Sequence, residues 1–175
     1  MQKIKLVLLV TVTMLISLCL ISFSYAIDYK EKLTEARNEI SVQPSNPNGY
    51  QRAVIASAYL GEKQQALSFL QDIKKMVGET KFYYLVRAQM YEIFNDLVNA
   101  EYAYKNLFDA SKDSYSYSSS LIAFYYRYNQ MDKAKELMPE FIERVKVKLA
   151  QKKGASVESV LASYNQLFES KQRNF

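Results

Sequence analysis

Apolar side chains return along this chain at helical spacing. In residues 29–42, Leu33, Ala36 and Ile40 stand at i, i+3 and i+7 and mark one face of a helix. Gln43-Pro44-Ser45-Asn46-Pro47-Asn48-Gly49 breaks that pattern, because two prolines and a glycine so close together demand a loop. Beyond the loop the pattern copies itself. Gly61-Glu62-Lys63-Gln64-Gln65-Ala66, Asn95-Asp96-Leu97-Val98-Asn99-Ala100 and Asn129-Gln130-Met131-Asp132-Lys133-Ala134 follow one another at 34 residues. Other columns keep the same interval: Val54, Ala88 and Ile122; Leu70, Tyr104 and Met138; Ile73, Leu107 and Phe141. Spacings of three and four within each segment put these residues on one helical face.

The repeat has a physical reading. Gly and Asn tolerate the left-handed backbone at a helix C-terminus, so Gly61, Asn95 and Asn129 predict three turns, each between two helices. The alanines at 66, 100 and 134 predict a close helix crossing that admits only a small side chain. Units start near Pro47, Lys81 and Tyr115. Tyr50 and Tyr84 share an early aromatic position that Ser118 breaks; Ser57, Tyr91 and Tyr125 follow. Within the Ser/Tyr-rich residues 111–120, Asp113 or Ser114 is expected to cap the next helix. Pro139 falls inside the last second helix, where it either kinks that helix or begins a fresh one. Phe141, Val145 and Leu149 continue an apolar stripe to about Lys152. Lys153-Gly154-Ala155 is a break, and Ser156 caps a last helix bearing Val157, Val160, Leu161, Tyr164 and Leu167. The tail from Lys171 to Phe175 is expected to fray.

A 34-residue helix–turn–helix period resembles the tetratricopeptide repeat, over roughly Pro47 to Val147. The departures are Gly78, Lys112 and Lys146 in place of the family's late proline, and Ser57 in place of a large aromatic. The resemblance implies an all-α fold, a short right-handed α-solenoid of helix hairpins with a capping helix at each end. The expected organisation is residues 1–26 as a signal peptide, 27–46 as an N-terminal capping helix and loop, 47–152 as three repeats, and 153–175 as a C-terminal capping helix and tail. It further implies a concave groove lined by the first helix of each unit. That groove would offer Gln51, Ile55, Ala58 and Tyr59, then Leu85, Gln89, Glu92 and Ile93, then Ser119, Ala123, Tyr126 and Arg127. Such a surface suits a helix or extended segment that buries a few apolar side chains. The plain alternative is that residues such as Tyr59 and Ile93 pack between neighbouring helices. A carboxylate clamp of Lys, Arg and Asn is missing, because Gln51, Ile55, Leu85 and Gln89 hold its positions.

The first 26 residues change the compartment. Lys3 and Lys5, an apolar run from Leu6 to Phe23, and Ser24-Tyr25-Ala26 form the three parts of a cleavable secretory signal. An apolar run of about 18 residues is also long enough for an uncleaved membrane anchor. Lipidation at Cys19 is disfavoured by the bulky Leu18 beside it. Cleavage removes two lysines and the sole cysteine, leaving 21 basic and 18 acidic side chains, a net charge of +3. That is too mild for a nucleic-acid footprint. Arg144, Lys146, Lys148, Lys152 and Lys153 form a basic run that reads as an anion-attracting patch or as a solvated helix end. The chain has no histidine, four glycines, and no cysteine after residue 26. A disulfide framework, the usual zinc sites, histidine-based triads and a glycine-rich phosphate loop are therefore outside its means.

The expectation is a non-enzymatic adaptor, without metal or cofactor, in a bacterial cell envelope. Its location would be periplasmic or secreted, and its partner another envelope protein within a pilus, secretion or envelope-biogenesis assembly. The alternatives are a self-associating structural component and a single-span, inner-membrane-anchored form.

Overall fold

The computed structural model describes residues 27–150 and 156–172. The signal segment 1–26, the break at 153–155 and the end of the tail at 173–175 lie outside the described residues. Among those described, the secondary structure is helical and contains no strand. Helix α1 is described over residues 27–42, which include the predicted 29–42. It is followed by α2 (Pro47–Tyr59), α3 (Lys63–Val77), α4 (Lys81–Ile93), α5 (Leu97–Ala110), α6 (Tyr115–Arg127), α7 (Met131–Ala150) and α8 (Val157–Gln172). The starts of α2, α4 and α6 keep the 34-residue interval, as do those of α3, α5 and α7. None of these helices is long and apolar enough to cross a membrane.

The three predicted turns share one hydrogen-bond pattern. Gly61, Asn95 and Asn129 have φ of 76°, 56° and 55°. In each turn the next residue donates its backbone N–H to a carbonyl five residues back: Glu62 to Ser57 at 2.9 Å, Asp96 to Tyr91 at 2.9 Å, and Gln130 to Tyr125 at 2.8 Å. This is the Schellman closure, which satisfies carbonyls that the helix end would otherwise leave bare. The same residue then accepts from the alanine column, with Ala66 donating to Glu62, Ala100 to Asp96 and Ala134 to Gln130. All three alanines are completely buried.

Helix starts are set locally too. Asn46 caps α2 by accepting from the Asn48 N–H, and Pro47 occupies the first turn, where its missing N–H costs nothing. Asp96 caps α5 by accepting from Asn99. Ser156 caps α8 through the Ser159 N–H at 3.1 Å. The start of α6 differs from expectation. Ser114 stands at the cap position, but its side chain makes no capping bond. Asp113 turns instead to Lys81, 2.7 Å away. Pro139 does not begin a fresh helix, since α7 runs through it. It is exposed, on the solvent side of the helix, where a proline ring is tolerated best.

The chain forms two units, Met1–Met76 and Val77–Phe175. In the first, Leu33 and Ala36 of α1 meet Ala53 and Ala56 of α2, with Tyr29, Ile40, Leu60 and Phe69 packed around them. In the second, α4 packs on α5, α5 on α6, and α6 on α7, while α8 packs on both α6 and α7. Its core runs through Ala88, Ala100, Leu107, Ile122, Phe124, Tyr125, Phe141, Val145 and Phe168. Arg144, expected in the basic run, belongs to this interior and is only 8% exposed.

Candidate partner-binding groove

In the first unit, the predicted groove positions border an open cavity. Gln51 and Ile55 of α2 line a cavity of about 480 Å³ together with Ala56 and Arg52 and with Tyr29, Lys32 and Glu35 of α1. Its rim carries charge that is already matched: Lys32 pairs with Asp28 at 2.6 Å, and Arg52 with Glu39. Tyr59, at the end of α2, is 51% exposed and stacks on Tyr29, with ring centroids 4.2 Å apart and planes 16° from parallel. Ala58 is buried and offers no surface. A second opening, of about 750 Å³, lies between α1 and the α2–α3 turn and is lined by Lys30, Arg37, Gly61 and Glu62, among others.

In the second unit, several predicted positions are already engaged. Glu92 on α4 and Arg127 on α6 form a two-pronged ion pair, Nε to Oε1 at 2.7 Å and Nη2 to Oε2 at 2.9 Å. Tyr104 on α5 donates its hydroxyl to the same carboxylate at 2.7 Å. Burial pushes the Tyr104 phenol well above the ordinary range, and the Glu92 charge adds to that, so it remains a donor at any physiological pH. Tyr126 stacks on Phe168 of α8, with centroids 5.2 Å apart and planes at 20°. Leu85 packs against the core, and Gln89 and Ile93 are half-buried. The Gln89 Oε1 atom is enclosed without a hydrogen-bond partner. Ser119 and Ala123 are buried.

The resemblance-based set omits the α1 side of the first cavity. Register holds the missing signal. Residue 63, where α3 starts, lies 34 after residue 29, so α1 is in phase with the second helices. Lys32 then stands 34 before Ala66, in the column that is alanine elsewhere. Lys32 is exposed on the cavity rim and pairs with Asp28, while Leu33 and Ala36 make the buried contacts of α1. Tyr29 and Glu35 follow from the same helix face.

A second ionic cluster ties α5, α6 and α7. Glu101 accepts from Lys133 at 2.9 Å, from Lys105 at 2.9 Å and from the Tyr125 hydroxyl at 3.0 Å. Partial burial raises the Glu101 carboxyl, but hydrogen bonds from Lys133, Lys105 and Tyr125 outweigh it and bring it down to about 2. A carboxylate held below its unfolded value of 4.5 stabilises the fold above that pH and loses the contribution as pH falls through about 2. Both lysines are half-exposed, so solvent screening reduces the gain to about 1–2 kcal/mol. Glu101→Gln is therefore expected to lower stability by that amount at pH 6 and by almost nothing at pH 2. Urea unfolding of both chains across this range checks it.

Among the described residues there is no cluster of His, Cys, Asp or Glu suited to a metal ion. No protein-family model matches the chain, and no curated protein or solved structure is significantly similar to it.

Proposed function

We propose that the chain is a tetratricopeptide-type adaptor, exported through residues 1–26, which holds a segment of another cell-envelope protein on the surface of its first helices. The observation that carries this reading is the threefold recurrence, at 34 residues, of one turn geometry and one buried alanine. Proteins that repeat such a hairpin at fixed phase commonly bind through the surface of their equivalent helices. Within the first unit it is open at the cavity beside Gln51 and Ile55, with Tyr59 half-exposed nearby. A few apolar side chains over a charged rim fit a protein segment better than a small polar substrate.

The test is in-cell crosslinking and capture with the tagged full chain, run beside Ile55→Asp and Tyr59→Ala. Tyr126→Ala is a poor probe of this surface, since it also unpacks Phe168. One envelope protein captured by the wild type and lost with both variants, at unchanged helicity, supports the adaptor. A bait that crosslinks only to itself assigns the chain to self-assembly instead. Capture untouched by either variant moves the contact to another face.

A further inference from the structure

We propose that Tyr29 and Tyr59 form an oxidative cross-linking site that can join α1 to α2 covalently. The inference rests on ring geometry alone and is independent of the adaptor reading. The two rings lie almost parallel, with centroids 4.2 Å apart, so carbons of one ring sit near van der Waals distance from carbons of the other. Burial and the neighbouring Tyr59 phenol both raise the Tyr29 phenol, as expected where two hydroxyls lie toward the same end of the stack. Tyr59 is half-exposed, so an oxidant can reach it and its ring has room to turn. Other tyrosine pairs meet edge-on: Tyr83 with Tyr84 at 5.5 Å and 61°, and Tyr115 with Tyr164 at 6.0 Å and 89°.

The chemistry needs a one-electron oxidant, such as a haem peroxidase turned over by hydrogen peroxide. It removes one hydrogen atom, a proton and an electron, from each phenol. The two radicals join through their ortho carbons. Each ring then passes the hydrogen on its bonding carbon to its own oxygen through solvent, which restores two phenols. The pair has lost two protons and two electrons in all, and these reduce one hydrogen peroxide to two waters. The Lys32 ammonium lies 4.7 Å from the Tyr29 ring centre and disfavours a radical cation there, so oxidation starts on Tyr59. A second one-electron oxidation then forms the radical on Tyr29. Residues 27–175 contain no cysteine, so no disulfide can tie these helices together.

The experiment treats the dilute full chain with peroxidase and limiting hydrogen peroxide, natively and in urea. Dityrosine fluorescence and peptide mass spectrometry are the readouts. In the native protein the expected product is the monomer lighter by two hydrogens, its tryptic peptide ending at Lys30 joined to residues 53–63. Tyr59→Phe keeps the stacked ring and is expected to lose most of the fluorescence, as is unfolding in urea. Tyr83→Phe is expected to leave the yield unchanged. The proposal is overturned if native cross-links scatter over the tyrosines as they do in urea, if covalent dimers predominate, or if Tyr59→Phe matches the wild type.

Discussion

Arg144→Ala is expected to destabilise the second unit by about 3 kcal/mol, far more than a surface arginine would. The guanidinium is spread over three helices. Its Nη1 atom donates to the Phe108 carbonyl at 2.6 Å, near the end of α5, and to the Ser118 hydroxyl of α6 at 2.7 Å. Nη2 donates to Glu140, one turn back on α7, at 2.5 Å. The cation also lies 3.8 Å from the centre of the Phe108 ring. Alanine removes these donors and leaves a void beside Phe108. The Phe108 carbonyl keeps its bond from Ser111, so no group is left wholly unpaired, which limits the loss. Glu140 is more than half-exposed and returns to water at little cost. Arg144→Met separates the two contributions. It refills most of the void but makes no hydrogen bond, and is expected to cost about 2 kcal/mol. Urea unfolding of both variants checks the order; equal losses would mean that the void is negligible, and a neutral methionine that the hydrogen bonds are.

Arg144 also shows where reading a sequence for charge fails. Grouped with Lys146, Lys148, Lys152 and Lys153, it looks like one more solvated cation. Grouped with Phe141, Val145 and Leu149, it stands three residues after the first and next to the second, inside the apolar stripe of α7. A cation in such a stripe is buried, and must then find a carbonyl and a ring. The turns were legible for the opposite reason. A positive φ admits few residue types, so Gly61, Asn95 and Asn129 announce their geometry without any tertiary knowledge. The alanine column was legible because close packing limits side-chain size at a fixed phase.

The candidate surface was legible only in part. Register names which residues lie on the first helices, but not what else reaches them. Glu92 and Arg127 stand 35 residues apart, one off the period, and no column pairs them; the fold closes that pair and adds Tyr104 from the helix between. Tyr126 meets a residue of α8, which follows the extended α7 and has left the 34-residue phase, so no repeat arithmetic could supply Phe168. Tyr59 is half-exposed and its ring neighbour is Tyr29 of α1, a helix outside the three hairpins that the period marks.

Phe168→Ala is expected to cost about 3–4 kcal/mol of α8 docking and to release that helix while α4 and α5 hold. Phe168 is completely buried, stacked on Tyr126 and in ring contact with Phe141, 6.1 Å away, and Tyr164, 5.8 Å away. The remaining described contacts of α8 come from half-buried residues such as Val157, Val160 and Leu161, which cannot hold a terminal helix alone. Loss of the ring therefore acts on docking before it acts on global unfolding. Hydrogen exchange should show residues 157–172 losing protection, with α4 and α5 unchanged. Tyr126 and Phe141 would then face water, and binding of a hydrophobic dye should rise. Uniform loss of protection across the unit would instead mean that α8 is integral to the core, and that the surface around Tyr126 cannot be opened without unfolding it.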